Sequence, residues 1–464
     1  MARSIRDLSL WWDELGEPTP RASLNGDLDV DIAIVGGGFT GLWTARSLKE
    51  IDRDLRIAII EKEVCGFGAS GRNGGWASAL FAASDAKIAR ESGAAQAHAM
   101  RQAMNESIGA IERATHEDGI ECHFAQGGSI VMARNDAQVS RSHDEILEAR
   151  SLGFGEDTVH WLDAKDAANI IQARNVMGGT YTPHCASLQP AKLVRGLSDS
   201  LERKGVVIYE QTTARSLHPG TAHSRPCVVT ENGTVRADVV VRATEGWTSQ
   251  FQESRKAVIP VYSLMIATEP LSQEQWSEIG LQNRETFADH RHMVIYGQRT
   301  HDGRIAFGGR GAPYHFGSTI KSSYNQNQKV FATLRTTLLD LFPQLSNVAI
   351  THQWGGPLGI PRDWYSSVTF DKTTGMAAAG GYVGDGVTTS NLAGRTLADL
   401  ILGNDSALTR LPWVNHQSPA WEPEPFRWIG VNAGIKAAGF SDASEQRRGK
   451  PSWVGDKLAS LLGG

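Results

Sequence analysis

Glycine recurs at 36, 38 and 41 in Gly36-Gly-Gly38-Phe39-Thr40-Gly41, a G-x-G-x-x-G turn whose chemistry is the binding of a dinucleotide pyrophosphate. Gly36 permits the tight turn, Gly38 lets backbone approach the anion, and Gly41 lets the following helix pack close to the preceding strand. The free N–H groups at that helix start, with the positive end of its dipole, hold the negative charge. Glu61-Lys62 follows about 20 residues past the last glycine, where a carboxylate accepts from a ribose diol. A second run, Gly66-Phe-Gly68-Ala69-Ser70-Gly-Arg72-Asn73-Gly74-Gly75, carries five glycines and three polar side chains. Its backbone N–H groups suit an anion nest, and its lack of side-chain bulk suits a flat ring system. A flexible surface loop is the competing reading of that run.

The elements that must position these groups are written in hydrophobic patterns. Asp31-Ile-Ala-Ile-Val35 and Arg56-Ile-Ala-Ile-Ile60 suit buried strands, and Leu42, Ala45 and Leu48 mark one face of a helix between them. The pattern returns late in the chain, with a strand at Met376-Ala-Ala-Ala-Gly-Gly-Tyr382, a turn at Val383-Gly384-Asp385-Gly386-Val387 and a helix over 388–402. The intervening patterns differ. Helices over 84–92, 94–119 and 136–152, a strand over 127–133 and a short helix over 161–169 suggest a domain inserted into the nucleotide-binding one. A helix over 191–204 and strands over 205–210, 227–230 and 237–241 resume the first pattern, and β-rich sequence with one helix over 327–341 fills 259–350.

Composition narrows the function classes. The 464 residues, 41% of them hydrophobic, suffice for two substantial domains, and a net charge of −5 offers no basic field for nucleic acid. Cys65, Cys122, Cys185 and Cys227 lack C-x-x-C spacing, which argues against a metal site and for free thiols in the cytoplasm. No run of 18 apolar residues occurs and no apolar core follows Met1-Ala-Arg-Ser, so a soluble cytoplasmic protein without membrane contact is expected. The arm 1–28, with Trp11-Trp12, is expected on the domain surface, packed against the protein itself. The tail after Pro412, with Arg447-Arg-Gly-Lys450 and a weak terminal helix, reads as an appendage.

With Gly68-Ala-Ser-Gly-Arg-Asn-Gly-Gly75 and Glu61 in view, the chain resembles the FAD-dependent oxidoreductases of the D-amino-acid oxidase superfamily, closest to the branch containing γ-glutamylputrescine oxidases. The likeness runs from about Leu10 to about Leu411. It implies an α/β fold of the glutathione-reductase type: a Rossmann-like FAD-binding domain interleaved with an α+β substrate domain built on an antiparallel sheet. The expected boundaries are 29–90, 186–258 and 351–412 for the first, 91–185 and 259–350 for the second, and 413–464 for the appendage. The resemblance also implies adenine contact near Ala214, closure over the diphosphate at Gly246, and a helix start at Gly384-Asp385-Gly386-Val387 facing the flavin pyrimidine.

For the chemistry, the resemblance implies oxidation of an amine by hydride transfer to flavin N5, then imine hydrolysis and reoxidation by O2 giving hydrogen peroxide. Such a reaction needs orientation more than acid–base machinery. Tyr296 and Arg310 fall in the strands expected to face the flavin, and Arg310 stands roughly where the sarcosine oxidases carry an oxygen-activating lysine. His352 is the one histidine considered for proton transfer, a structural histidine being the competing reading, and it opens the segment His352-Gln-Trp354-Gly-Gly. Trp76 or Trp354 would supply an aromatic wall for an ammonium group, Arg299 or Arg310 would hold an acyl or acidic tail, and Asp363 would sit at the substrate mouth.

Covalent flavin in the sarcosine oxidase branch uses a histidine or cysteine. No histidine lies over 53–84 and no cysteine over 354–464, so non-covalent FAD is expected, with Cys65 the lesser candidate for a linkage. The substrate is expected to be a small amine, in one version γ-glutamyl- or otherwise N-modified. The alternatives are a D-amino acid, glycine or sarcosine oxidase or dehydrogenase, and a flavin-binding electron-transfer subunit.

Overall fold

The computed structural model describes residues 4–453 together with 455 and 457. Ile32–Val35 and Ile57–Ile60 are buried at every position, the mark of strands covered on both faces of a parallel sheet. They pair in parallel at the centre of six strands, ordered Ser367–Asp371, Met376–Gly380, Val239–Arg242, Ile32–Val35, Ile57–Ile60 and Val207–Tyr209. Only the first of these runs antiparallel to its neighbour. The helices Phe39–Ile51 and Gly386–Leu402 cover one face, so close together that a Cβ on Gly394 would meet the Trp43 backbone carbonyl carbon at 2.5 Å. Ala94–Asp118 and Pro190–Arg203 complete that layer. A four-stranded sheet covers the other face through Leu217, Val228 and Val235.

A second, eight-stranded sheet runs Ile350–Ile360, Ile259–Thr268, Ile305–Gly309, Ile295–Arg299, Thr286–Asp289, Ser129–Ala133, Gly178–Thr182 and His160–Asp163. It is antiparallel except between Thr286–Asp289 and Ser129–Ala133, where chain from the two halves of the expected substrate region meets. The helix Gln328–Leu341 covers one face with Phe331, Leu334 and Leu338. The mixed α/β architecture read from the resemblance is therefore present.

Three expectations change. Residues 160–163 form an edge strand, because Trp161 pairs with Thr180, and the helix begins only at Ala164, capped by the Asp163 carboxylate. The arm packs against the protein as expected, but its tryptophans go deeper than a surface contact: Trp11 and Trp12 are almost fully buried, and the Trp11 indole donates to the Asn73 carbonyl at 2.8 Å. The appendage contains a 23-residue helix, Phe426–Arg448, whose glycines and weak apolar periodicity hid it. Asp442 accepts from the His292 and Met293 amides, and Glu445 pairs with Arg141 at 2.6 Å, pinning that helix to the larger sheet. The expected weak terminal helix falls largely outside the described residues. Among the described residues no helix is long and apolar enough to cross a membrane.

Candidate active site

The first glycine turn is shaped by contact at each of its three positions. Gly36 has φ of 112°, and a Cβ there would stand 2.4 Å from the Ala243 carbonyl oxygen. A Cβ on Gly41 would reach the Gly36 carbonyl at 2.1 Å, and one on Gly38 the Ser70 hydroxyl at 2.9 Å. That hydroxyl accepts from the Phe39 amide at 2.8 Å, so the two glycine runs are stitched together. Glu61 accepts from the amides of Gly37 at 2.8 Å and Glu63 at 2.9 Å, and burial raises its carboxyl to about 7.

A cleft of about 390 Å³ runs over this turn. Gly36, Gly38, Phe39 and Thr40 line it, followed by Glu61 and Lys62, then Gly68, Ala69, Ser70 and Asn73. Ala214 stands on its wall beside Thr212 and Thr213, and Gly384, Gly386 and Val387 close its far end. The helices Phe39–Ile51 and Gly386–Leu402 both start at this cleft, and neither has a side-chain cap. Ser70 takes the Phe39 amide, and the other first-turn amides of these two helices have no side-chain acceptor among the described residues and are left as donors for a ligand.

A second cavity of about 350 Å³ adjoins the cleft, and Ala69, Asn73, Leu358, Gly384 and Val387 line both. Arg72, Gly74, Trp76, Tyr296, Arg310 and Asp385 line the second. The Tyr296 ring lies between two glycines, since a Cβ on Gly74 would approach it to 2.7 Å and one on Gly308 to 2.5 Å. Its hydroxyl is 2.8 Å from that of Ser263, and it meets Trp76 edge to face at 6.1 Å. The Trp76 indole N–H has no hydrogen-bond partner among the described residues. Arg310 lies 5.3 Å over the Trp364 ring, its charge disfavoured by burial and favoured by Asp385. Burial raises the Asp385 carboxyl to about 6 against the pull of Arg310.

A model of the FAD dependent oxidoreductase family, DAO, matches residues 31–400, the span that contains both glycine runs and both cavities. The chain belongs to this family. Among curated FAD-family relatives, a probable oxidoreductase OrdL of Haemophilus influenzae is 27% identical over 82% of this chain and 84% of its own. A gamma-glutamylputrescine oxidoreductase of Escherichia coli is 27% identical over 83% and 86%. The solved glycine oxidase of Geobacillus kaustophilus superposes with a TM-score of 0.70 at 20% identity, covering 84% of this chain and 100% of that one. The chain is thus an FAD-dependent oxidoreductase. The cleft fits the cofactor by its uncapped helix starts and by glycines where a Cβ would collide.

Several residues singled out in the sequence stand elsewhere. His352 lines neither cavity: it shares the sheet face of Trp354, two residues on, at the edge strand Ile350–Ile360, where it contacts Asp13 of the arm at 3.2 Å. Trp354 is on the same sheet face as Tyr296 but three strands away, buried against Trp11, with its indole donating to the Arg72 carbonyl at 2.9 Å. Arg299 stacks on Trp276 at 4.4 Å and Asp363 pairs with His416 at 2.7 Å, so neither lines a cavity. Gly41, Gly75 and Gly246 act by close packing rather than by lining: Gly246 backs onto Pro357, and its neighbours Thr244, Glu245 and Trp247 reach the cleft. Cys65 lies beneath Gly37, and burial pushes its thiol well up, which argues against a linkage there.

Sequence reasoning passed over Glu245. Its carboxylate accepts from the amides of Gly381 at 2.9 Å, Gly359 at 3.3 Å and Tyr382 at 3.4 Å, joining the 3-10 turn Glu245–Gln250 to both sheets. The only signal was its place in the turn after a strand, and no motif carries it.

Proposed function

We propose that the chain oxidises a primary or secondary amine, in one version γ-glutamyl- or otherwise N-modified, to an imine that water hydrolyses. The observation that carries this reading is the meeting of the dinucleotide cleft and the aromatic cavity at Gly384 and Val387. FAD, held without a covalent link by the glycine cleft, would supply the two-electron oxidation by accepting hydride, with O2 as the final acceptor giving hydrogen peroxide. The work left to the protein is orientation and one proton. Tyr296 and Trp76 wall the substrate so that its carbon–hydrogen bond has one direction to face. An amine arrives as an ammonium, and Asp385, with its carboxyl at about 6, is ionised at neutral pH and takes the proton at its carboxylate oxygen. That frees the nitrogen lone pair. Arg310 supplies a fixed positive charge at the same wall.

Arg310 also favours a second reading, in which it pairs with the carboxylate of an amino acid oxidised next to it. Anaerobic titration of the purified yellow protein with amines and with amino acids separates the two. Bleaching by amines lacking a carboxylate, with recovery in air, supports the first reading. Bleaching by amino acids alone would replace it with the second, and bleaching without recovery in air would remove O2 as acceptor. On the same proposal 29–90, 186–258 and 351–412 form the cofactor domain, 91–185 and 259–350 the substrate domain, and four free cysteines suit a reducing cytoplasm.

A further inference from the structure

The cavity beside Tyr296 has a second end. Its floor is one row of paired positions across the eight-stranded sheet: Tyr296 opposite Ala288, Ala288 opposite Val131, and Val131 opposite Thr180. All four line the cavity. Three interstrand steps of roughly 4.8 Å put Thr180 about 14 Å from Tyr296 along this floor. Glu145, on the helix Asp136–Ser151, lies over the far end and accepts from the Thr180 hydroxyl at 2.9 Å.

His290 meets Glu145 there. It follows the strand Thr286–Asp289 and brings its Nε2 to 3.6 Å from the Glu145 carboxylate, too far for a hydrogen bond. That nitrogen is buried and has no hydrogen-bond partner among the described residues. Burial pushes the His290 pKa down to about 4, so the ring is neutral at physiological pH and offers a lone pair. Arg101 also lines this end, but Asp85 pairs with it at 2.8 Å, and Glu148 adds a further carboxylate to the surroundings. Arg141, on the same helix as Glu145, also acts on His290, but Glu445 pairs with it at 2.6 Å, so each neighbouring cation already has its own carboxylate. A buried carboxylate and an unpartnered imidazole nitrogen, both facing one space, are completed by a group with several N–H donors and a positive charge.

We propose that this end is a subsite for a second, distal ammonium group of the substrate, held between the Glu145 carboxylate and His290 Nε2. The inference rests on the amine-oxidising reading of the Tyr296 end. A monoamine leaves His290 Nε2 without a partner and brings no cation to Glu145, and a simple amino acid is too short to reach them. A linear polyamine and a long amine ending in an α-amino acid head both carry the required distal ammonium.

The test is calorimetric binding to the purified flavoprotein of spermidine, of the γ-glutamyl amide of 1,4-diaminobutane, and of n-hexylamine, repeated on Glu145→Gln and His290→Asn variants that retain FAD. At least one of the two distal-ammonium ligands is expected to bind the parent protein roughly tenfold or more tightly than n-hexylamine. Glu145→Gln is expected to collapse that ratio and His290→Asn to reduce it. Tight binding of spermidine alone assigns the subsite to polyamines, and of the glutamyl amide alone to an amino acid head. Equal affinity of all three ligands for the parent protein, or a ratio unchanged in Glu145→Gln, overturns the proposal. Absence of flavin bleaching by every amine, with the binding ratio intact, would instead sink the amine-oxidising reading and leave a distal ammonium site.

Discussion

Arg310 donates through Nη2 to the Val383 carbonyl at 2.6 Å, which ties the residue ending the strand Ile305–Gly309 to the turn that opens the helix Gly386–Leu402. One bond thus connects the floor of the substrate cavity to the far end of the dinucleotide cleft. It also fixes a permanent cation beside Asp385, whose carboxyl it holds below the value that burial alone would give.

Replacing Arg310 by Met removes both effects. Flavin reduction by substrate is expected to slow by about 10²-fold, and the acidic limb set by Asp385 to move upward, since loss of a neighbouring cation raises a carboxyl pKa. Arg310→Lys should recover part of the rate. Stopped-flow reduction across pH 5 to 9 measures both quantities, and an unchanged profile in Arg310→Met would remove Arg310 from the chemistry.

The glycines at 36 and 38 should fail in different ways. Gly36→Ala meets the Ala243 carbonyl at 2.4 Å with φ at 112°, so the backbone itself must move, and loss of folded protein is expected. Gly38→Val meets only the Ser70 hydroxyl, the end of a small side chain, and should fold while losing FAD because its bulk fills the pyrophosphate approach. Circular dichroism with the visible spectrum separates the cases. Gly38→Val protein that purifies yellow would refute the assignment of this turn.

His352→Asn is expected to leave kcat/KM within about twofold, the usual reach of a surface change, because His352 touches Asp13 and neither cavity. Trp354→Ala removes a fully buried ring packed on Trp11 and should cost about 3–5 kcal/mol in chemical denaturation. A catalytic defect in a stable, FAD-loaded His352→Asn protein would restore histidine to the mechanism.

Glu245 gives the protein a stability that falls as pH rises. Burial raises its carboxyl from 4.5 to about 7, so between those values the unfolded chain has released the proton that the folded chain keeps. Stability is fully present below about pH 4.5 and declines toward pH 7 by at most about 1.4 kcal/mol per unit from this group. Glu61 and Glu14, also raised to about 7, act in the same direction. Glu245→Gln should shallow the slope of denaturation free energy between pH 5 and 7. An unaltered slope would place the proton elsewhere.

The nucleotide half of the molecule was legible before any coordinates because its causes are local. Gly36 is dictated by its own φ of 112° and Gly41 by the Gly36 carbonyl five residues back, and Ile32–Val35 and Ile57–Ile60 by burial on both faces. Each leaves a short signature. Asp163 shows the limit of such reading: it caps the helix that starts at Ala164, but the pairing of Trp161 with Thr180 across the sheet leaves no local signature, so the sequence pattern starts the helix at 161.

By itself the sequence determined the cofactor class and the strand, turn and helix that receive it, since hydrophobic period and glycine spacing act over one turn of chain. Tertiary structure decided which polar side chains share a space with that cofactor. Tyr296 and Trp354 lie on one sheet face, yet two strands separate them, and the arm that covers Trp354 leaves Tyr296 open to the cavity. Glu145 and His290 are 145 positions apart and meet only because Thr286–Asp289 pairs in parallel with Ser129–Ala133, a register set by packing over the whole sheet and written in no local motif.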